Sequence, residues 1–147
     1  MGFTICHQHP FLGATPDGGV YDPTEVESPF SLLEVKCPYS HKEHTPVEAC
    51  SDSKFCCELH DGVIRLKNSH SYFCQIQGQM AICKRQWCDF VIYTTKGIAV
   101  NRVHFSEDFW TNQLLPCLVE FYSKCTAPEV VSRVHMFGLP IRDSRKK

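Results

Sequence analysis

Residues 32–38 read Leu32-Leu33-Glu34-Val35-Lys36-Cys37-Pro38 and place two charged side chains inside an apolar run. The stretch 30–37 predicts a β-strand that ends at Pro38, because proline cannot donate the hydrogen bond that a sheet needs. Side chains alternate between the two faces of a strand, so Glu34 and Lys36 are expected on one face. If that face is buried, the two groups need either each other or a metal ion, because an unpaired buried charge is costly.

A second motif, Thr15-Pro16-Asp17-Gly18-Gly19, is typical of a tight turn at the end of a strand. Taken singly, both motifs are common, since most Pro-Asp-Gly triplets are ordinary turns and Glu-x-Lys often lies on a solvent-exposed strand face. Together they favour a metal-dependent site that cleaves phosphodiester bonds. Asp17 and Glu34 would hold Mg²⁺, which prefers oxygen ligands, and Lys36 would orient or activate the attacking water.

A helix is predicted to begin at Ser69 or Ser71, and it carries three glutamines. Gln77 falls on the core-facing stripe, whereas Gln75 and Gln79 lie together on another flank, four residues apart. A buried glutamine must find hydrogen-bond partners. An active-site carboxylate, the lysine of the site or a metal-bound water would supply them, and so would backbone carbonyl groups.

The order of the predicted elements gives the fold class. In chain order we expect strands over 3–6, 10–14, 20–21 and 30–37, a short helix over 40–49 capped by Ser40, a hairpin over 54–67 about Asp61-Gly62, the glutamine-bearing helix, strands over 87–94 and 98–105, and a helix over 108–124. This order predicts an α/β (mixed α+β) fold with a central mixed β-sheet flanked by helices. No repeat or linker interrupts it, so residues 1–147 are predicted to form a single domain.

The composition is that of a globular protein, with 43% hydrophobic and 21% charged residues. No stretch approaches the roughly 20 apolar residues of a membrane span, and the first residues lack the pattern of a secretion signal. An intracellular location, cytoplasmic or nuclear, is therefore expected. Ten cysteines scattered through apolar segments favour reduced thiols over a disulfide scaffold. Because the formal charge is −1, any contact with DNA must come from a local basic patch.

Several cysteines and histidines have spacings that could bind Zn²⁺. These groups are His41 with His44, Cys56-Cys57 with His60, and His70 with Cys74. None of them has the Cys-x-x-Cys spacing of strong zinc sites. Scattered core thiols and surface imidazoles are the alternative interpretation, and a zinc-stabilised interaction protein is the hypothesis that these groups leave open.

Three motifs occur in an order that resembles a known family. They are Phe11-Leu12-Gly13-Ala14-Thr15-Pro16-Asp17-Gly18, Leu33-Glu34-Val35-Lys36-Cys37-Pro38 and Tyr72-Phe73-Cys74-Gln75-Ile76-Gln77-Gly78-Gln79-Met80. This series resembles the YqaJ-like viral recombinase family, relatives of lambda exonuclease within the PD-(D/E)xK, restriction-endonuclease-like superfamily. The resemblance continues through 87–94, 96–98, 109–110 and 121–122, and it covers about residues 10–123.

The resemblance implies a restriction-endonuclease-like fold and a Mg²⁺-dependent DNA exonuclease activity, with Mn²⁺ able to replace Mg²⁺. It makes Asp17 and Glu34 metal ligands and the carbonyl of Val35 a further ligand. Lys36 becomes the catalytic lysine. Linear duplex DNA ends would be the substrate, and the family analogy implies a homo-oligomer.

Family members also have a glutamine that supports the site, for which Gln77 is the first candidate here and Gln75 the second. They carry helices ahead of the first motif, with an acidic residue and an arginine that complete the site and grip the DNA 5′ end. In this chain the first motif begins within about ten residues of Met1. Those helices are therefore expected to be missing and the nuclease domain to be partial. The alternative function is an incomplete or inactive nuclease fold that binds DNA or protein.

Overall fold

The computed structural model describes residues 2–132. The chain divides into two compact units, Met1–Ser106 and Glu107–Lys147. Within the described residues the first unit contains the strands, and the second unit is helical. The single domain predicted for 1–147 stays a prediction, and its two ends, Met1 and residues 133–147, lie outside the described part.

The central sheet of the first unit has four strands and is mixed. The strands of the whole unit, within the described residues, are β1 (Thr4–Ile5), β2 (Gly13–Ala14), β3 (Gly18–Tyr21), β4 (Phe30–Lys36), β5 (Cys57–His60), β6 (Val63–Leu66), β7 (Trp87–Thr94) and β8 (Gly97–His104). The sheet order is β3-β4-β7-β8, with β4 and β7 parallel and the two outer pairs antiparallel. β1 with β2, and β5 with β6, form separate antiparallel pairs.

The connection between β4 and β7 contains the glutamine-bearing helix, α2 (Ser71–Cys83). Parallel neighbours need such a crossover because the chain must return to the same end of the sheet. Ile76 and Met80 of α2 pack with Leu32 and Phe90 in one buried cluster, and each is at most 1% exposed. The helix therefore covers the sheet face that carries the even-numbered residues of β4.

The hairpin predicted about Asp61-Gly62 is present between β5 and β6. Asp61 and Gly62 both have positive φ, 52° and 76°. A two-residue turn of this kind matches the twist of the flanking strands, and Asp-Gly is a preferred sequence for it.

The tight turn predicted over 15–19 is wrong in its second half. Gly18 already belongs to β3, where it pairs with Leu33 of β4. The partner strand supplies the backbone hydrogen bonds that hold this glycine in an extended conformation, which the local sequence alone does not indicate.

The cap predicted at Ser40 is also wrong. Tyr39–His41 form a single 3₁₀ turn, and the helix α1 (Pro46–Ala49) begins only after Thr45. Thr45 and Glu48 form a reciprocal capping box, and the proline at the first helical position has its φ already fixed for a helix.

The second unit, over its described part, is one helical run interrupted by π-helical turns. Its segments are α3 (Glu107–Phe109), the π turn Trp110–Leu114, α4 (Leu115–Phe121), the π turn Tyr122–Thr126 and α5 (Ala127–Ser132). Pro116 and Pro128 each follow a π turn, because proline has no N–H to donate and its ring crowds the carbonyl one turn earlier. The helix predicted over 108–124 therefore passes Pro116 and extends to Ser132. No helix within residues 2–132 has the length and apolar character required to span a bilayer.

Candidate active site

Glu34 and Lys36 share one face of β4, as the alternation of the strand predicts. The Glu34 side chain is 3% exposed, and Lys36 Nζ lies 2.6 Å from Glu34 Oε1. The Lys36 side chain is 20% exposed, so its amine connects a buried carboxylate with the surface. A lysine amine has three N–H donors, of which Glu34 takes one.

Two glutamines of α2 hold the Glu34 carboxylate from the helix side. Gln75 Nε2 donates to Glu34 Oε1 at 2.6 Å, and Gln79 Nε2 donates to Glu34 Oε2 at 3.0 Å. Residues four apart lie on the same side of a helix, which is why both amides reach one carboxylate. Within residues 2–132 the side chain of Glu34 thus accepts from one cation and two amides, out of about four positions that a carboxylate offers.

Asp17 joins the site through the backbone of Val35, the residue between Glu34 and Lys36 in β4. Val35 N–H donates to Asp17 Oδ2 at 2.8 Å. β3 begins at Gly18, opposite Leu33, so the Asp17 side chain takes the hydrogen bond that a longer strand would have accepted. The N–H and C=O of a strand residue face the same neighbour, so the Val35 carbonyl points to the side of β4 on which Asp17 lies.

Tyr72 supports Lys36 from α2. Lys36 Nζ lies 4.7 Å from the centre of the Tyr72 ring, within the range of a cation–π interaction. The ring is fixed in turn by Phe90, with centroids 6.0 Å apart, and by His70 at 4.6 Å. The amine therefore has two contacts that limit its motion, a carboxylate and an aromatic face.

A buried thiol borders the carboxylate on the sheet. Burial, and then the charge of Glu34, raises the pKa of Cys88 to about 12. Cys88 therefore stays a neutral thiol at physiological pH, and the negative charge of this part of the core is that of Glu34.

The donor atoms at this strand end suit a hard divalent cation. The carboxylates of Asp17 and Glu34 and the carbonyl of Val35 offer oxygen atoms, the ligand type that Mg²⁺ prefers, and Mg²⁺ keeps several of its own waters when it binds to proteins. Gln79 Oε1 is buried beside them and has no hydrogen-bond partner among residues 2–132. The same described residues contain no group of three or more His, Cys, Asp or Glu side chains placed to hold a metal ion.

Gln77, the first candidate for the supporting glutamine, lies elsewhere. Its Nε2 donates to the carbonyl of His104 at 2.8 Å, and its Oε1 accepts from the N–H of Ser106 at 2.8 Å. Both ends of this fully buried amide are thus satisfied by backbone groups after β8, the alternative that the sequence left open. The second candidate, Gln75, is the one that contacts Glu34. Sequence reasoning gave no role to Gln79, although its spacing from Gln75 placed both on one flank.

A second charged cluster is centred on Arg102 of β8. Arg102 donates to both oxygens of Asp89, at 2.8 and 2.9 Å, and its Nη1 donates to Asp22 at 2.7 Å and Glu25 at 3.1 Å. Its guanidinium lies 3.8 Å from the centre of the Trp87 ring. The register pairs Leu33 with Asp89 and Glu34 with Phe90, so this cluster lies on the sheet face opposite Glu34.

Comparison with known proteins identifies the fold and the family. The YqaJ-like viral recombinase domain matches residues 1–86, more than half of the chain. The chain belongs to this family. The YqaJ-like match includes every predicted site residue, and Gln79 as well, whereas β7, β8 and the helical unit lie beyond it. No curated protein matches the chain significantly.

Solved structures agree with the mixed α/β fold class, a central mixed sheet flanked by helices, that the sequence of this YqaJ-like protein predicts. The alkaline exonuclease LHK-Exo from Laribacter hongkongensis is 22% identical, with a TM-score of 0.55 over 95% of this chain. LHK-Exo in complex with dAMP is 20% identical, with a TM-score of 0.54 over 95% of this chain. At these identities the likeness is one of fold. The chain spans 62% of the length of either structure.

Proposed function

We propose that this YqaJ-like chain is a divalent-metal-dependent deoxyribonuclease domain of the exonuclease type, acting on the ends of linear duplex DNA. One observation carries the proposal. The buried Glu34 is paired with Lys36, whose side chain is only partly exposed, and Asp17 accepts a hydrogen bond from Val35 between them. Support comes from the family and from fold neighbours described as alkaline exonucleases, one of them in complex with dAMP.

The residues that would hold Mg²⁺ or Mn²⁺ are Asp17, Glu34 and, through its carbonyl, Val35. When bound, the cation would polarise the scissile phosphate and lower the pKa of a water at the site. The chain itself supplies the alignment of the ligands. Glu34 is held by α2 and Asp17 by the backbone of β4, so neither carboxylate depends on a mobile loop for its position.

Lys36 is the group that we assign to the reacting atoms. One of its three N–H donors is used by Glu34, and the others are available for a water or for a phosphate oxygen. Its positive charge would offset the negative charge that develops on the phosphate during attack. Glu34 and Tyr72 hold the amine in place, so little reorganisation is needed when the substrate arrives.

The direct test is digestion of end-labelled linear duplex DNA by the purified chain with Mg²⁺, with EDTA as the control. We expect progressive loss from the ends in Mg²⁺, no loss in EDTA and no loss of closed circular DNA. Asp17→Asn should abolish digestion, because the variant keeps an oxygen acceptor for Val35 but loses a charged ligand. Digestion that continues unchanged in EDTA, or in Asp17→Asn, would contradict the proposal.

The second candidate function is a nuclease fold that binds DNA without cutting it. The observation that favours it is that residues 2–132 contain no group of three or more acidic, cysteine or histidine side chains placed to hold a metal ion. Such a protein would shift the mobility of linear DNA in a gel and leave its length unchanged in Mg²⁺. Digestion in Mg²⁺ would exclude this candidate.

A further inference from the structure

Gln79 has a buried amide that is satisfied at one end only. It lies on α2 between the core residues Ile76 and Met80 and is 6% exposed. Its Nε2 donates to Glu34 Oε2, whereas its Oε1 has no partner within residues 2–132. Buried polar atoms in native proteins almost always have a partner, either a protein group or an ordered water. The Gln79 oxygen beside the Glu34 carboxylate is therefore expected to accept a hydrogen bond from a bound water or ligand.

The orientation of this amide is fixed by its neighbour. If the two ends of the amide were exchanged, an oxygen would face the negatively charged Glu34 Oε2. The nitrogen must therefore point to Glu34, and the carbonyl oxygen must accept from something else. Among residues 2–132, the three side chains that hydrogen-bond to the carboxylate are all donors: Lys36 and Gln75 donate to Glu34 Oε1, and Gln79 donates to Oε2.

We propose that Gln79 is a positioning residue for the divalent cation. Its amide nitrogen fixes the Glu34 carboxylate, and its buried amide oxygen accepts a hydrogen bond from a water of the cation's hydration shell. This inference rests on the proposed function, because it takes the cation to bind at Asp17 and Glu34. Mg²⁺ retains several waters when it binds to proteins, so acceptors placed beside its ligands complete the site. Outer partners of this kind orient the ligands, and their loss typically reduces metal affinity about 10- to 100-fold.

The chain offers two matched controls on the same helix. Gln75 also donates to Glu34, but only Gln79 carries the buried unpartnered oxygen. Gln77 is even more deeply buried than Gln79 and contacts the backbone of His104 and Ser106 instead of Glu34. Replacement of each by methionine keeps the length of the side chain and removes the amide.

The experiment measures binding of Mg²⁺ by calorimetry and of Mn²⁺ by electron paramagnetic resonance, without DNA. We expect Gln79→Met to weaken binding about 10- to 100-fold, and Gln77→Met to bind as the native chain does. Relaxation of water protons by bound Mn²⁺ reports on the hydration shell. This signal should change in Gln79→Met and stay native in Gln77→Met. Gln75→Met removes the other amide donor to Glu34 but no buried unpartnered oxygen, so it serves as the comparison for the loss of a donor alone. Circular dichroism checks that each variant folds, and Gln79→Asn, which withdraws the amide by one methylene group, replaces Gln79→Met if the latter does not fold.

The outcomes separate this inference from the proposed function. If Gln79→Met binds both cations as tightly as the native chain while Asp17→Asn and Glu34→Gln lose binding, the inference about Gln79 is overturned and the nuclease proposal stands. A native relaxation signal in Gln79→Met would overturn the assignment of a water to its oxygen. If the native chain binds neither cation, the nuclease proposal fails and this inference fails with it.

Discussion

The two charged clusters of the sheet, one around Glu34 and one around Arg102, lie on opposite faces and differ in how fully their charges are paired. Arg102 is surrounded by three carboxylates and an aromatic ring. Within the described part of the chain, Glu34 has one cation and two amides as partners, and the oxygen of one of those amides is unsatisfied. A saturated ion network has no position left for a ligand, so it serves the fold. The Glu34 network keeps one unused acceptor beside a buried carboxylate, and this difference is what the proposal of a cation site rests on.

The largest effect is expected at Lys36, whose replacement tests whether the Glu34 cluster differs in role from the Arg102 cluster. Lys36→Ala should reduce the initial rate of DNA digestion about 10²- to 10⁴-fold, the range for one positioned proton-transfer group. The rate is measured with end-labelled duplex DNA at saturating Mg²⁺, after circular dichroism has shown that the variant is folded. A rate near that of the native chain would mean that the Glu34 cluster is also structural.

The opposite result is expected at Arg102. Arg102→Met keeps an apolar stem over Trp87 but removes the hydrogen bonds to three carboxylates, and it should lower the free energy of unfolding by about 2–3 kcal/mol. Urea unfolding measures this loss. The digestion rate of the folded fraction should equal that of the native chain, because the cluster lies on the face away from Glu34. A variant that unfolds as the native chain does would show that the network contributes little to stability.

The acidic side of the Arg102 cluster predicts a pH dependence. Hydrogen bonds from Thr24, and then from Arg102, lower the pKa of Asp22 from 3.8 to about 2. Because this folded-state pKa lies below the ordinary value, ionised Asp22 stabilises the fold above about pH 4, and that contribution is lost as the pH falls through about 2. Urea unfolding between pH 5 and pH 2 should show a shallower loss of stability for Asp22→Asn than for the native chain. Parallel curves would contradict this assignment.

The smallest effect is expected at Tyr72, whose aromatic ring lies against the Lys36 amine. Tyr72→Leu removes the face beneath Lys36 and should slow digestion about 2- to 5-fold, corresponding to a cation–π interaction of about 0.5–1 kcal/mol. Tyr72→Phe keeps the ring and should keep the rate. If Phe and Leu slow digestion equally, the hydroxyl rather than the ring face positions the amine.

The local features of the fold could be predicted from the sequence where one short segment determines them. Pro38 ends β4, and Asp61-Gly62 makes the hairpin turn. The cap of the short helix was ambiguous, because Ser40 and Thr45 each precede a glutamate by three residues. Pro46 decides between them, since its fixed φ suits the first position of a helix.

Contacts between distant segments could not be predicted in the same way. The glutamine pattern of α2 assigned Gln77 to the core correctly, but its partners belong to the end of β8, which no local pattern places there. Arg102 meets Asp22 across 80 positions of the chain. Such pairs depend on the parallel pairing of β4 with β7. The resemblance to the YqaJ-like family implies this pairing, whereas the spacing of residues within one segment does not.

The hydrogen bond from the Val35 N–H to Asp17 has a consequence for how this fold can change in evolution. One oxygen of Asp17 accepts the backbone hydrogen bond at the sheet edge, and this bond does not require the negative charge of the carboxylate. An asparagine there would still accept from Val35, so the architecture would survive the loss of the charge. The backbone pairing and the charge at this residue can therefore be lost independently of each other. A copy of this fold without nuclease activity could keep an intact sheet.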